Sequence, residues 1–92
     1  MPYELVPTRQ FERTSARFLR RHPELRDRFT RVLNELRVDP FQPHLRLHSL
    51  RGRLGGSHAV SLTYEYRIVL ILFVEEERIT LVDIGSHDDV YR

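Results

Sequence analysis

Tyr66-Arg67-Ile68-Val69-Leu70-Ile71-Leu72-Phe73-Val74, Glu75-Glu76-Glu77-Arg78 and Ile79-Thr80-Leu81-Val82-Asp83-Ile84 form the stretch on which the fold turns. The run from Ile68 to Val74 has no polar residue, is rich in β-branched side chains and is far too short to span a bilayer. It reads as a central strand shielded on both faces. The acidic cluster is a hairpin turn with solvated charges, and Ile79–Ile84 returns as the next strand. Upstream, His58 to Thr63 alternates apolar and polar residues, as a half-buried strand does. Downstream, Gly85-Ser86-His87-Asp88-Asp89-Val90-Tyr91-Arg92 follows at once, so a histidine and a tyrosine arrive at a strand end. Arg67 stands at one rim of this meander, with His87 and Tyr91 expected at a neighbouring rim.

The first half is helical. Tyr3–Val6 is a short strand stopped by Pro7. Thr8 suits an N-cap for a helix running to about Arg21, with Phe11, Ser15, Phe18 and Leu19 on one face. His22-Pro23 breaks it, and Pro23 fits the first turn of a second helix. Leu25, Phe29, Val32, Leu33 and Leu36 then form an apolar stripe at helical spacing. So short a break predicts an antiparallel helical hairpin. Two prolines make Asp39–Pro43 a loop, Leu45, Leu47 and Leu50 alternate with polar residues, and Gly52, Gly55 and Gly56 punctuate a basic connection. The order β-α-α-β-β-β predicts a single α+β domain over residues 1–92: a helical hairpin packed on one face of an antiparallel sheet, the other face partly open.

Composition narrows the chemistry. With 92 residues, 40% of them hydrophobic and 30% charged, the chain has the make-up of an ordinary globular domain. There is no cysteine, which excludes disulfides, thiolate–zinc sites and a cysteine nucleophile. Met1-Pro2-Tyr3-Glu4 lacks the basic n-region and apolar run of a signal peptide, and a cytoplasmic location with no membrane association is expected. The net charge of +2 conceals an asymmetry. Residues 1–58 hold 12 Arg against 6 Asp and Glu, a net of +6, whereas residues 59–92 hold 3 Arg against 7, a net of −4. Every basic residue apart from histidine is arginine, a permanent cation whose planar fork matches phosphate. An electropositive half on so small a domain points to a polyanion or an acidic protein partner.

An arginine, histidines that titrate near neutral pH and a phenol are what metal-free phosphodiester cleavage requires. Each residue also has an ordinary structural reading. His48 suits a strand end at the surface. Arg67 suits a cross-strand pair with Glu65 or Asp83. His87 and Asp88 suit the cap of the sheet, with Asp88 or Asp89 starting a last helical turn, and Tyr91 suits a core plug. His44 and His58 read as surface residues. A His48/His58/His87 metal site lacks ligand spacing, and no metal or cofactor is expected.

The segment His48-Ser49-Leu50-Arg51-Gly52-Arg53-Leu54-Gly55-Gly56, followed by Glu65-Tyr66-Arg67-Ile68-Val69 and by Gly85-Ser86-His87 with Tyr91, resembles the RelE/ParE superfamily of bacterial toxins, most of all its YafQ-like branch. The resemblance implies a ribosome-dependent endoribonuclease that cuts mRNA and is neutralised by a cognate antitoxin. It implies His48 as general base, Arg67 at the scissile phosphate, His87 as general acid and Tyr91 as the aromatic that orients mRNA. Arg46, Arg51, Arg53 and Tyr66 are the expected RNA-binding residues. The pattern departs at Ser61, where the branch has a second strand-borne histidine, and at Glu65-Tyr66, where it has Asp-Trp. A ParE-like toxin that poisons gyrase is the first rival reading. ParE-like members usually lack the His48 and His87 equivalents. A catalytically silent antitoxin-binding module is the second.

Overall fold

In the computed structural model, which describes residues 2–91, the chain runs β1 (Glu4–Pro7), α1 (Arg9–Arg21), α2 (Arg26–Val38), β2 (His48–Ser49), β3 (His58–Ser61), β4 (Tyr66–Phe73), β5 (Arg78–Ser86) and α3 (His87–Val90). Thr8 begins α1 as expected. Its hydroxyl accepts from Phe11 N–H at 3.1 Å and donates to the Leu81 carbonyl at 2.9 Å, so one side chain starts the helix and ties it to the sheet. Phe11, Ser15 and Leu19 form the buried face of α1. Pro23 opens a separate 3₁₀ turn, Pro23–Leu25, that leads into α2. On α2 the buried residues are Phe29, Val32 and Leu36, with Leu33 partly covered. Phe11 and Phe29 stack with centroids 6.1 Å apart and join the two helices.

The sheet has the order β1-β5-β4-β3-β2. Its neighbours from β2 through β5 are antiparallel, but β1 lies parallel to β5, so the sheet is mixed rather than antiparallel throughout. A four-residue strand carries no directional signal of its own. Its direction is fixed by distant contacts: Glu4 N–H donates to the Glu77 carbonyl at 2.8 Å and Thr8 N–H to that of Leu81 at 3.0 Å. Pro7 is tolerated because β1 is an edge strand, where a missing donor removes no ladder bond. The short β2 opposite was not anticipated as a strand.

The core lies between the helices and one face of the sheet, where Val60, Leu62, Ile68, Leu70, Ile79, Leu81 and Ile84 meet the helical stripe. Strict alternation along β5 would send Ile84 away from it. A β-bulge restores it: Val69 pairs with Asp83 and Leu70 with Leu81, leaving Val82 without a partner. The other face is partly open, as expected. Leu50, Leu54 and Val90 pack there against Ala59, Val69 and Val82, so the glycine-rich connection and α3 cover one end of it. Among the described residues no helix is long and apolar enough to cross a membrane.

Candidate functional site

Antiparallel pairing of β4 with β5 sets Arg67 opposite Gly85 and Tyr66 opposite Ser86. The start of β4 and the end of β5 therefore share a single rim, and Arg67 and His87 meet there rather than on neighbouring rims. The Ser86 hydroxyl caps α3 by accepting from Asp89 N–H at 3.2 Å, and His87 N–H donates to the Glu65 carbonyl at 2.7 Å. These bonds fasten the C-terminal turn to the β3–β4 turn. Arg46, Arg67, Ser86 and His87 line one cleft of about 470 Å³, together with the carboxylates of Glu65 and Asp88.

Arg67 forms no ion pair with Glu65 or Asp83. Its Nη1 instead donates to the carbonyls of Thr63 at 2.8 Å, Tyr64 at 2.9 Å and Tyr66 at 3.2 Å, clasping the β3–β4 turn. Its Nε–H is buried without a partner. Among the described residues every carboxylate ion pair uses a histidine (His22–Glu24, His44–Glu35 and His87–Asp88), and no arginine stands in one. The positive field of the helical half is left to face outward.

His48 sits at the start of β2, half-buried, with Nδ1 2.7 Å from the Arg46 carbonyl. A carbonyl only accepts, so Nδ1 carries a proton, and in the neutral ring Nε2 then presents its lone pair. The hydroxyl of Tyr91 donates to that Nε2. The Tyr91 ring stacks on His48 with centroids 5.4 Å apart and an interplanar angle of 19°, and touches His87 at 4.4 Å. One aromatic side chain thus bridges two histidines that are 39 positions apart (87 − 48) in the chain. Tyr91 is 40% exposed and does not plug the core.

The remaining expected RNA-binding residues separate. Arg46 shares the cleft with Arg67 and His87. Its backbone is left-handed, φ 57°, at the end of the Pro43–Leu45 turn. Arg51 is exposed without a recorded partner, and Arg53 donates to the Asp89 carbonyl at 3.0 Å beside a different cleft. Tyr66 faces the helices, where its ring packs against Phe18 at 4.9 Å and His22 at 5.1 Å, and its hydroxyl lies 3.3 Å from His22 Nε2. Consecutive strand residues point to opposite faces, which parts Tyr66 from Arg67. Burial pushes the Tyr66 phenol above its usual value, with the Glu65 carboxylate adding to the effect.

His44 is a surface residue as expected and pairs with Glu35 at 3.0 Å, whereas His58 is half-buried with an unpartnered Nδ1. Among the described residues no group of histidines and carboxylates could hold a metal ion. Tyr64 escaped the sequence reading. It stands 92% exposed on the β3–β4 turn, and a lone aromatic between Thr63 and Glu65 was the available signal.

No protein-family model and no curated protein matches the sequence. Solved structures do match the fold. YafQ of E. coli strain BL21(DE3) superposes with a TM-score of 0.78 at 12% identity, covering 98% of this chain and 99% of that one. A YoeB/ParE toxin of Agrobacterium tumefaciens gives 0.71 at 19% identity over 91% of this chain and 98% of its own. The E. coli DinJ–YafQ toxin–antitoxin complex gives 0.70 at 13% identity over the whole of both chains. With helices on a five-stranded mixed sheet and near-complete coverage at both ends, the chain has the fold of the RelE/ParE toxins in its YafQ-like form.

Proposed function

We propose that this protein is the toxin of a bacterial toxin–antitoxin pair and an endoribonuclease that cuts mRNA on the ribosome. The observation that carries the reading is the convergence of Arg67 and His87 on one cleft, with Tyr91 linking His87 to His48. Solved neighbours named as toxins, one of them bound to its antitoxin, support the setting.

RNA supplies its own nucleophile, the 2′-OH. In the proposed reaction that hydroxyl takes the place of the Tyr91 hydroxyl as donor to His48 Nε2. His48 accepts its proton as the 2′-oxygen attacks phosphorus. Arg67, joined by Arg46, faces the dianionic phosphorane; removing one such donor typically slows a reaction about 100- to 1000-fold. His87, protonated, then gives its proton to the departing 5′-oxygen. The products are a 2′,3′-cyclic phosphate and a 5′-hydroxyl. Imidazoles have a reference pKa of about 6.5, so two of them can hold opposite protonation states near neutral pH.

An antitoxin partner follows from the same electrostatics. Arginines outside any carboxylate ion pair and a site open at the rim call for an acidic segment that covers the cleft or displaces the His87–Tyr91 turn. The deciding experiment is primer extension on ribosomes programmed with a defined mRNA. Wild type should leave discrete cuts with 5′-hydroxyl ends, and His87→Ala should leave none. Intact mRNA together with inhibited gyrase supercoiling would replace this reading with the ParE-like one.

A further inference from the structure

A second basic cleft, of about 290 Å³, opens between α2, the Pro43–Leu45 turn and the β3–β4 turn. Arg28 and Arg31 reach it from one turn of α2, and Arg46, Ser61, Tyr64 and Arg67 from the opposite side. Its one carboxylate, Glu35, is held by His44 Nε2 at 3.0 Å. Arg28 is aimed by a contact of 3.5 Å from its Nη1 to the Leu62 carbonyl.

Arg46, Tyr64 and Arg67 belong to both this cleft and the His87 cleft, so they form the ridge between a basic basin on the α2 side and a mixed one that Glu65 and Asp88 also line. Tyr64 stands on that ridge almost fully exposed, and hydrogen bonds hold the backbone beneath it. Thr63 Oγ1 accepts from the N–H groups of Glu65 at 3.2 Å and Tyr66 at 3.1 Å. Arg67 clasps the carbonyls of Thr63 and Tyr64 from below. An aromatic presented on a preorganised turn loses little freedom when it is covered.

Arg28 and Arg31 across the α2-side cleft and Arg46 and Arg67 beside Tyr64 place arginines around an exposed aromatic, as phosphates flank a base in a single-stranded nucleic acid. We infer that the α2-side cleft is a second phosphate subsite, and that Tyr64 stacks a base of the same RNA strand between it and the Arg67–His87 cleft. The inference rests on the ribonuclease reading and adds to it a second place where the strand is held. An acidic peptide would match the arginines but leave Tyr64 without a stacking partner, so RNA is the better fit.

The test uses the intact protein and 2′-O-methyl RNA, which lacks the nucleophile and cannot be cut. Wild type should bind a pentanucleotide more tightly than a dinucleotide, because only the longer strand spans both clefts. Arg28→Gln combined with Arg31→Gln should abolish that gain and lower the salt dependence by roughly one to two phosphate contacts. Tyr64→Ala should weaken pentanucleotide binding about tenfold and Tyr64→Phe should restore it, as expected for a stacked base. Since the chain has no tryptophan, Tyr64→Trp adds a single reporter that the pentanucleotide should quench.

No measurable pentanucleotide binding overturns the subsite, as does wild-type affinity in the arginine double variant or in Tyr64→Ala. So does competition for the cleft by an acidic peptide that binds where RNA does not. If the subsite fails while wild type still cuts ribosome-bound mRNA, the ribonuclease reading stands alone; if cleavage is also absent, both fall.

Discussion

Replacing Arg67 with alanine should do two separable things. The first is to loosen the β3–β4 turn. Nη1 carries two hydrogens and faces three carbonyls, so at most two full bonds act together. Bonds from a charged donor contribute about 1.5–3 kcal/mol each when shielded, and this turn is partly open to water, so their joint loss should destabilise by roughly 2 kcal/mol. With a urea dependence of about 1–3 kcal/mol per molar, the unfolding midpoint should fall by roughly 1 M. The second effect is the loss of the cation at the phosphate, about 100- to 1000-fold in cleavage rate. Arg67→Lys divides the two. An ammonium can serve the same carbonyls and should regain most of the stability, but it lacks the planar fork and should remain well below wild type in cleavage. The measurements are urea unfolding followed by circular dichroism and primer extension on programmed ribosomes, each at a concentration where every variant is folded. An unchanged midpoint in Arg67→Ala would mean that water serves those carbonyls equally well, and the clasp would be no stabilising contact. Wild-type cleavage by Arg67→Lys would remove the guanidinium fork from the mechanism.

His48→Gln keeps a polar side chain at the same place but cannot take a proton, and should slow cleavage about 100- to 10,000-fold. Tyr91→Phe, which keeps the stacked ring and loses only the hydroxyl, should slow it far less; equal effects in the same assay would contradict the roles proposed for the pair. Leu36→Ala empties a fully buried position where both helices meet the sheet and should lower stability by about 2–5 kcal/mol, read from the urea midpoint. Loss below that range would mean the core collapses around the gap. The raised Tyr66 phenol gives a pH signature. The folded state holds that proton more tightly than the unfolded chain does, so the contribution is complete below the usual phenol value of 10.0 and is lost as pH rises through the folded value. Thermal melts should therefore show a steeper alkaline decline in wild type than in Tyr66→Phe, and parallel declines would refute the assignment.

Much of the fold was readable because its signals are local. The cap at Thr8 and the apolar spacing of both helices depend on residues within one or two turns, and the β3, β4 and β5 strands announce themselves by alternation or by an unbroken apolar run. That Arg67 and His87 share one rim was implicit in the hairpin between them, although neighbouring rims had been expected. Even the parting of Tyr66 from Arg67 was implicit in the two-residue period of a strand, although Tyr66 had been expected to bind the RNA that Arg67 contacts at the scissile phosphate.

Other features depended on partners far away in sequence. Four residues of β1 could pair in either direction, and only the carbonyls of Glu77 and Leu81 make them parallel to β5. Leu81 and Ile84 share the core face although their spacing breaks alternation, because the bulge at Val82 appears only once β5 is laid against β4. Arg53 was grouped with Arg46 by nearness in sequence, yet the fold sends it to the Asp89 carbonyl and away from the cleft. Sequence alone thus determined which segments are helix and strand, and that a basic half carries arginines suited to phosphate. Tertiary structure alone decided that Tyr91 would join His48 to His87 and that Arg67 would serve both a turn and a cleft. Elements form through neighbours along the chain, whereas a site forms where separate strand ends converge.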